Sequence, residues 1–113
     1  MPEPRVHPGL SAERWHAMTV EEQLGNVGSE VARALRATAN DNHERASMAL
    51  ARALDLFDLT LADERWRGAR RREVARAREV VCDFLAGDND YGSTAASLDA
   101  YFLAFGIAAR SGR

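Results

Sequence analysis

The chain has 113 residues, a formal net charge of −2 and a single cysteine. That length suits one domain able to bury about two thirds of its unfolded surface, and one cysteine excludes both an internal disulfide framework and a multi-cysteine zinc site. All 15 basic residues are arginine, and because arginine and the abundant alanine are strong helix formers, the composition predicts an all-α fold.

Residues 1–10, MPEPRVHPGL, hold three prolines and no apolar run. They are expected to form a flexible arm, neither signal peptide nor membrane anchor. No stretch reaches the roughly 18 apolar residues of a spanning helix, so a soluble cytoplasmic protein without a membrane partner is expected. Residues 11–110 read as one helical domain and 111–113 as a polar tail. Ser11 is a candidate cap for a short helical turn, AERWHAM, whose Trp15 and Met18 lie three apart and can fold onto the domain as a plug.

Thr19 and Glu22 have capping-box spacing, which starts the next helix at Val20. Val20, Leu24, Val27, Val31 and Leu35 then recur at steps of three and four and form one apolar stripe. Gly25, Gly28 and Ala32 flank it. Interior glycines cost a helix about 1 kcal/mol each relative to alanine, so they predict close approach of a neighbouring backbone; a surface cleared for a ligand or second subunit is the alternative. The helix should fade in ATANDN.

Asp41 and Glu44 repeat the capping spacing, predicting a second helix from about Asn42 to Leu61 with Leu50, Leu54, Phe57 and Leu61 as its core stripe. A third helix is expected from about Arg67 to Ala86. Val74, Ala77, Val81 and Phe84 make its core side, and Gly87 is its stop. Cys82 lies among apolar residues and reads as a buried structural thiol. Ser93 or Thr94 caps a fourth helix whose stripe is Leu98, Phe102, Phe105 and Ala109. The economical architecture is an antiparallel four-helix bundle preceded by a short N-terminal helical turn. Met48, Leu56 and Leu59, with Leu103 and Ile107, lie off the core stripes and are candidates for a homo-oligomer interface.

Residues 65–78, RWRGARRREVARAR, contain seven of the arginines: Arg65, Arg67, Arg70, Arg71, Arg72, Arg76 and Arg78. The guanidinium fork donates two hydrogen bonds at once to phosphate or carboxylate, and Trp66 could offer a stacking face for a base. The segment is a candidate contact surface for RNA, DNA or an acidic protein; the alternative is a solvated helix face with Glu73 and Glu79 paired along it. Six residues separate Arg36 from His43, a spacing that resembles the Arg-x(4 to 6)-His motif of the HEPN ribonuclease superfamily, which implies RNA cleavage by these two residues.

Glu13 and His16 have Glu-x-x-His spacing, but a di-iron bundle needs two such motifs. Asp88, Asp90 and Asp99 approach a calcium loop that lacks its central glycine. No phosphate loop, GxSxG elbow or dinucleotide fingerprint occurs, and neither metal nor cofactor is expected.

Across ERWHAMTVEEQLGNVGSEVARAL, ERASMALARALDLFDLTL, REVVCDFLAGDNDYGST and SLDAYFLAFGIAAR, the chain resembles a family of small, uncharacterised prokaryotic helical proteins. Its helix order is similar to that of the four-helix-bundle proteins of ribosomal-RNA intervening sequences and of the accessory variability determinants of diversity-generating retroelements. The latter resemblance implies a ring-shaped oligomer engaging nucleic acid. The expected function is a non-enzymatic, self-associating adaptor that contacts nucleic acid or an acidic partner through the arginine face. A HEPN-like ribonuclease and a purely structural protein-interaction module are the alternatives.

Overall fold

The computed structural model describes residues 12–111. The arm at 1–10, the Ser11 cap and positions 112 and 113 of the tail lie outside the described residues. Five helices follow one another: α1 Ala12–His16, α2 Val20–Ala39, α3 His43–Leu61, α4 Ala69–Ala86 and α5 Ala95–Ser111. The described residues contain no strand.

Local chemistry sets each boundary. Glu22 N–H donates to Thr19 Oγ1 at 3.1 Å and Thr19 N–H to Glu22 Oε1 at 2.9 Å, so the capping box starts α2 at Val20. The turn that follows differs from the expected one. Asp41 takes φ +56°, a left-handed conformation that aspartate tolerates better than most residues. Asn42 Oδ1 accepts the cap bond instead, from Arg45 N–H at 3.1 Å, and α3 begins at His43. Likewise α4 begins at Ala69, later than Arg67, because Gly68 breaks the chain direction at φ +60°. For α5, Thr94 and Ser97 cap reciprocally at 3.0 and 2.9 Å, and the helix continues through Ser111, where a tail was expected.

The α2 stripe is buried as its spacing predicts. On α3 the buried side is rotated: Ala49, Ala53, Leu56, Phe57, Leu59 and Thr60 face the core, while Leu50, Leu54 and Leu61 are half-buried at its edge. This corrects the assignment of Leu56 and Leu59 to an oligomer surface. Leu56 is 2% exposed and Leu59 5%, so neither can meet a second copy. Helix α3 is apolar on two sides because it packs against α1, α2 and α4.

Helix α2 is central, packing chiefly on α3 and α5, whereas α4 rests mainly on α3. Phe57 of α3 and Phe102 of α5 meet edge to face with centroids 6.2 Å apart. The glycines of α2 admit α5: a Cβ on Gly25 would stand 3.4 Å from the Gly106 Cα, and one on Gly28 only 2.5 Å from the Phe102 Cβ. The two positions should therefore respond oppositely to alanine. At Gly28 overpacking costs about 1–3 kcal/mol and outweighs the roughly 1 kcal/mol that alanine gains in a helix. At Gly25 the added methyl makes ordinary contact and most of that gain survives. Thermal unfolding should rank Gly25→Ala at or above the wild type and Gly28→Ala below it; the reverse order would refute this packing.

Candidate functional site

The arginine segment divides into two parts. The first belongs to a buried polar network that ties α1 to the connection after α3. Trp15, 1% exposed, donates its indole N–H to Thr60 Oγ1 at 2.9 Å, and Thr60 passes its own proton to the Leu56 carbonyl at 3.0 Å. Gln23, fully buried, donates from Nε2 to the Trp15 carbonyl at 2.9 Å and to Asp63 Oδ2 at 3.1 Å, and its Oε1 accepts the Trp66 indole N–H at 2.7 Å. Both amide protons and the carbonyl are thus used, which makes burial of this side chain tolerable. Arg65 closes the network, donating to Asp63 Oδ2 at 2.6 Å and to the Met18 carbonyl at 2.6 Å from Nη2 while lying 4.4 Å over the Trp66 ring. Arg65 hydrogen bonding, opposed by burial and aided by Gln23, holds the Asp63 carboxyl far below the usual carboxylate range. Arg65, half-exposed, and Trp66, half-buried, therefore spend their hydrogen bonds within the protein. His16 Nε2 adds a bond of 3.0 Å to the Leu59 carbonyl in the last turn of α3.

The remaining arginines lie on α4 and its approach. Arg67 donates to the Glu64 carbonyl at 2.8 Å. Arg70 pairs with Glu73 at 3.1 Å and, at 3.9 Å, with Glu21; Arg78 pairs with Asp58 at 3.0 Å. Arg71 and Arg72 are exposed, and the Arg76 guanidinium lies 5.0 Å from the centre of the exposed Tyr91 ring. Carboxylates thus occupy part of the charge that the sequence concentrates here.

Beside Arg76 the molecule opens. Because α4 stands on α3 and α5 on α2, a cleft of about 340 Å³ lies between α4 and α5. Its floor is Ala77, Val80, Leu98, Tyr101 and Phe102, and its rim carries Glu73, Arg76, Ser93 and Ser97. Tyr101 packs edge to face on Phe102 and Phe105, with centroids 5.1 and 5.2 Å away. Burial, reinforced by the negative charge of Glu73, pushes the Tyr101 phenol up to about 12, so the hydroxyl stays protonated at neutral pH.

Arg36 in the last turn of α2 and His43 at the start of α3 are brought to the same end of the molecule, on either side of the turn at Asp41, and both are exposed. Met48, Leu103 and Ile107 are exposed at 54%, 59% and 48%. Cys82 is half-buried. Among the described residues, no three His, Cys, Asp or Glu side chains are grouped to hold a metal ion, and no helix is long and apolar enough to cross a membrane.

The α4–α5 cleft was not legible in the sequence. Ala77, Leu98 and Phe102 of its floor lie on the expected core stripes, Val80 and Tyr101 do not, and which helices stand apart depends on tertiary packing. Gln23 was missed as well, although it left a signal: with Glu30 it occupies a polar position in an otherwise apolar three-four repeat through Val20, Val27 and Ala34.

Comparison of the chain with protein-family profiles, with curated proteins and with solved structures gave no match.

Proposed function

We propose that this protein is a non-enzymatic cytoplasmic adaptor, an antiparallel four-helix bundle with a short N-terminal helix, whose α4–α5 cleft receives an amphipathic helix from an acidic protein partner. The antiparallel arrangement is supported by the pairing of Glu30 with Arg52 and of Gln23 with Asp63 across α2 and the end of α3, and by Gly28 facing Phe102 where Gly25 faces Gly106. The observation that carries the binding reading is an apolar floor bordered by Arg76, with Arg72 one helical turn away on the same face and exposed. Helix-in-groove recognition needs this combination: apolar anchors enter the groove and acidic flanks meet the arginines. Nucleic acid is the less favoured ligand because Arg65 and Trp66 hydrogen bond to Asp63 and Gln23 and because Glu73 and Asp58 offset the charge of Arg70 and Arg78.

A displayed library of helical peptides selected against the purified protein tests the proposal. Selected peptides should carry apolar residues three and four apart with Asp or Glu beside them. Their affinity should fall by about tenfold or more, some 1.4 kcal/mol, in Val80→Asp and in Arg76→Glu while the helical circular dichroism persists. Peptides that bind both variants as tightly as the wild type would remove the cleft from consideration. Salt-sensitive binding of a single-stranded RNA oligonucleotide that disappears in the Arg71→Ala/Arg72→Ala variant would put a nucleic-acid adaptor in its place.

A further inference from the structure

Helix α5 departs from the pattern of a solvent-facing helix. Its sequence, AASLDAYFLAFGIAARS, holds two charged residues, Asp99 and Arg110. Its exposed side consists mainly of Leu103, Ile107 and the alanines at 100, 104 and 108. Leu103 and Ile107 are about half exposed or more and lie one turn apart, so they form a single apolar ridge. The exposed side of α4, by contrast, carries Arg70, Arg71, Arg72, Arg76 and Glu79.

The spacing of the charges about that ridge suggests its occupant. Asp99 precedes Leu103 by four residues and Arg110 follows Ile107 by three, so the two charges stand almost symmetrically on either side of residue 105. From this symmetry we infer that two copies of the chain pair through α5 about a twofold axis near residue 105. Leu103 of one copy meets Ile107 of the other, and Asp99 meets Arg110. In this antiparallel, isologous contact each charge finds its opposite twice. A parallel contact would set Asp99 against Asp99 and Arg110 against Arg110, so electrostatics selects the orientation. Beside the ridge, Gly25, Ser29 and Ala32 of α2 leave a shallow recess of about 340 Å³ bounded by Leu103, Asp99 and Arg110. An apolar side chain from the second copy can enter it. Met48 lies on α3 and takes no part in this contact.

A 17-residue helix is about 25 Å long. Two α5 faces with their α2 flanks would bury on the order of 1,000 Å², near the lower bound for a specific interface. The dimer therefore dissociates on dilution. The pairing is independent of the α4–α5 cleft, and its failure would leave the peptide-binding reading untouched.

Sedimentation equilibrium of the full chain from about 1 µM to about 1 mM tests it by mass action. The wild type should move from the 12.4 kDa chain mass toward twice that value, and Leu103→Glu should remain monomeric with unaltered helical circular dichroism. Asp99→Arg and Arg110→Asp should each weaken the dimer several-fold, and the double charge swap should restore it. A wild type that stays monomeric throughout overturns the inference, as does a dimer indifferent to Leu103→Glu. Singly disruptive charge changes that fail to rescue one another overturn the antiparallel pairing.

Discussion

Trp15→Ala should lower the unfolding free energy by about 3–5 kcal/mol, the range for removing a large aromatic side chain from a core. Trp15 is almost wholly buried and anchors a five-residue helix that is far too short to persist without tertiary contacts. Its loss leaves a cavity against α3, takes the indole donor from Thr60 and frees the backbone that holds the Gln23 amide. Trp15→Phe separates these contributions. It keeps most of the apolar volume and removes the N–H, while Thr60 can still donate to the Leu56 carbonyl, so a smaller loss is expected, beginning at about 1 kcal/mol for the hydrogen bond. Urea unfolding followed by far-ultraviolet circular dichroism measures both. Equal losses in the two variants would mean that ring packing contributes little.

Asp63→Ala should cost about 2–3 kcal/mol at neutral pH. This lies below the roughly 3–5 kcal/mol of breaking a fully buried ion pair, because Arg65 is half-exposed and can turn toward water. The effect depends on pH in a defined direction. The Asp63 carboxyl titrates well below its unfolded value of about 3.9, so the stability it contributes is fully present above that value. It drains away as pH falls toward the folded value. The gap between wild type and Asp63→Ala should therefore hold steady from neutral pH to about 5 and narrow below about 4. Glu30 responds in the same window: burial pushes its carboxyl up, but hydrogen bonds from Arg33 and Arg52 outweigh that and hold it below its ordinary value. It is present in both proteins and largely cancels in the comparison. A gap that widens as the solution is acidified would contradict the role assigned to Asp63.

The features legible in the sequence were those that local physics controls. Thr19 with Glu22 marked the start of α2, and its apolar repeat named the buried face. The glycines of α2 announced a close neighbour, which is α5. Where the outcome depended on partners distant in the chain, the letters were ambiguous. Helix α3 carries apolar residues on two sides, and periodicity alone cannot say which side receives α2 and α1; Leu56 and Leu59 were placed outside for that reason. Arg65 and Trp66 looked like the leading edge of a basic surface because they adjoin one in sequence. Asp63, the ion-pair partner of Arg65, stands two residues away, but Met18 and Gln23, which tie Arg65 and Trp66 to the rest of the fold, lie more than 40 positions earlier, and no local spacing encodes those contacts. For the candidate site, Arg76 and its neighbours were visible as charge, while the apolar cleft beside them follows from the way α4 and α5 rest on different helices.

Both tryptophans of the chain, Trp15 and Trp66, belong to the polar network around Gln23. Intrinsic ultraviolet emission therefore comes mainly from one end of the molecule, from the docking of α1 and the connection after α3. Helices α4 and α5 contribute tyrosine and phenylalanine alone. A spectroscopist following emission would watch that junction open and would see little of an event confined to α4 and α5, including the occupation of the cleft or the meeting of two copies.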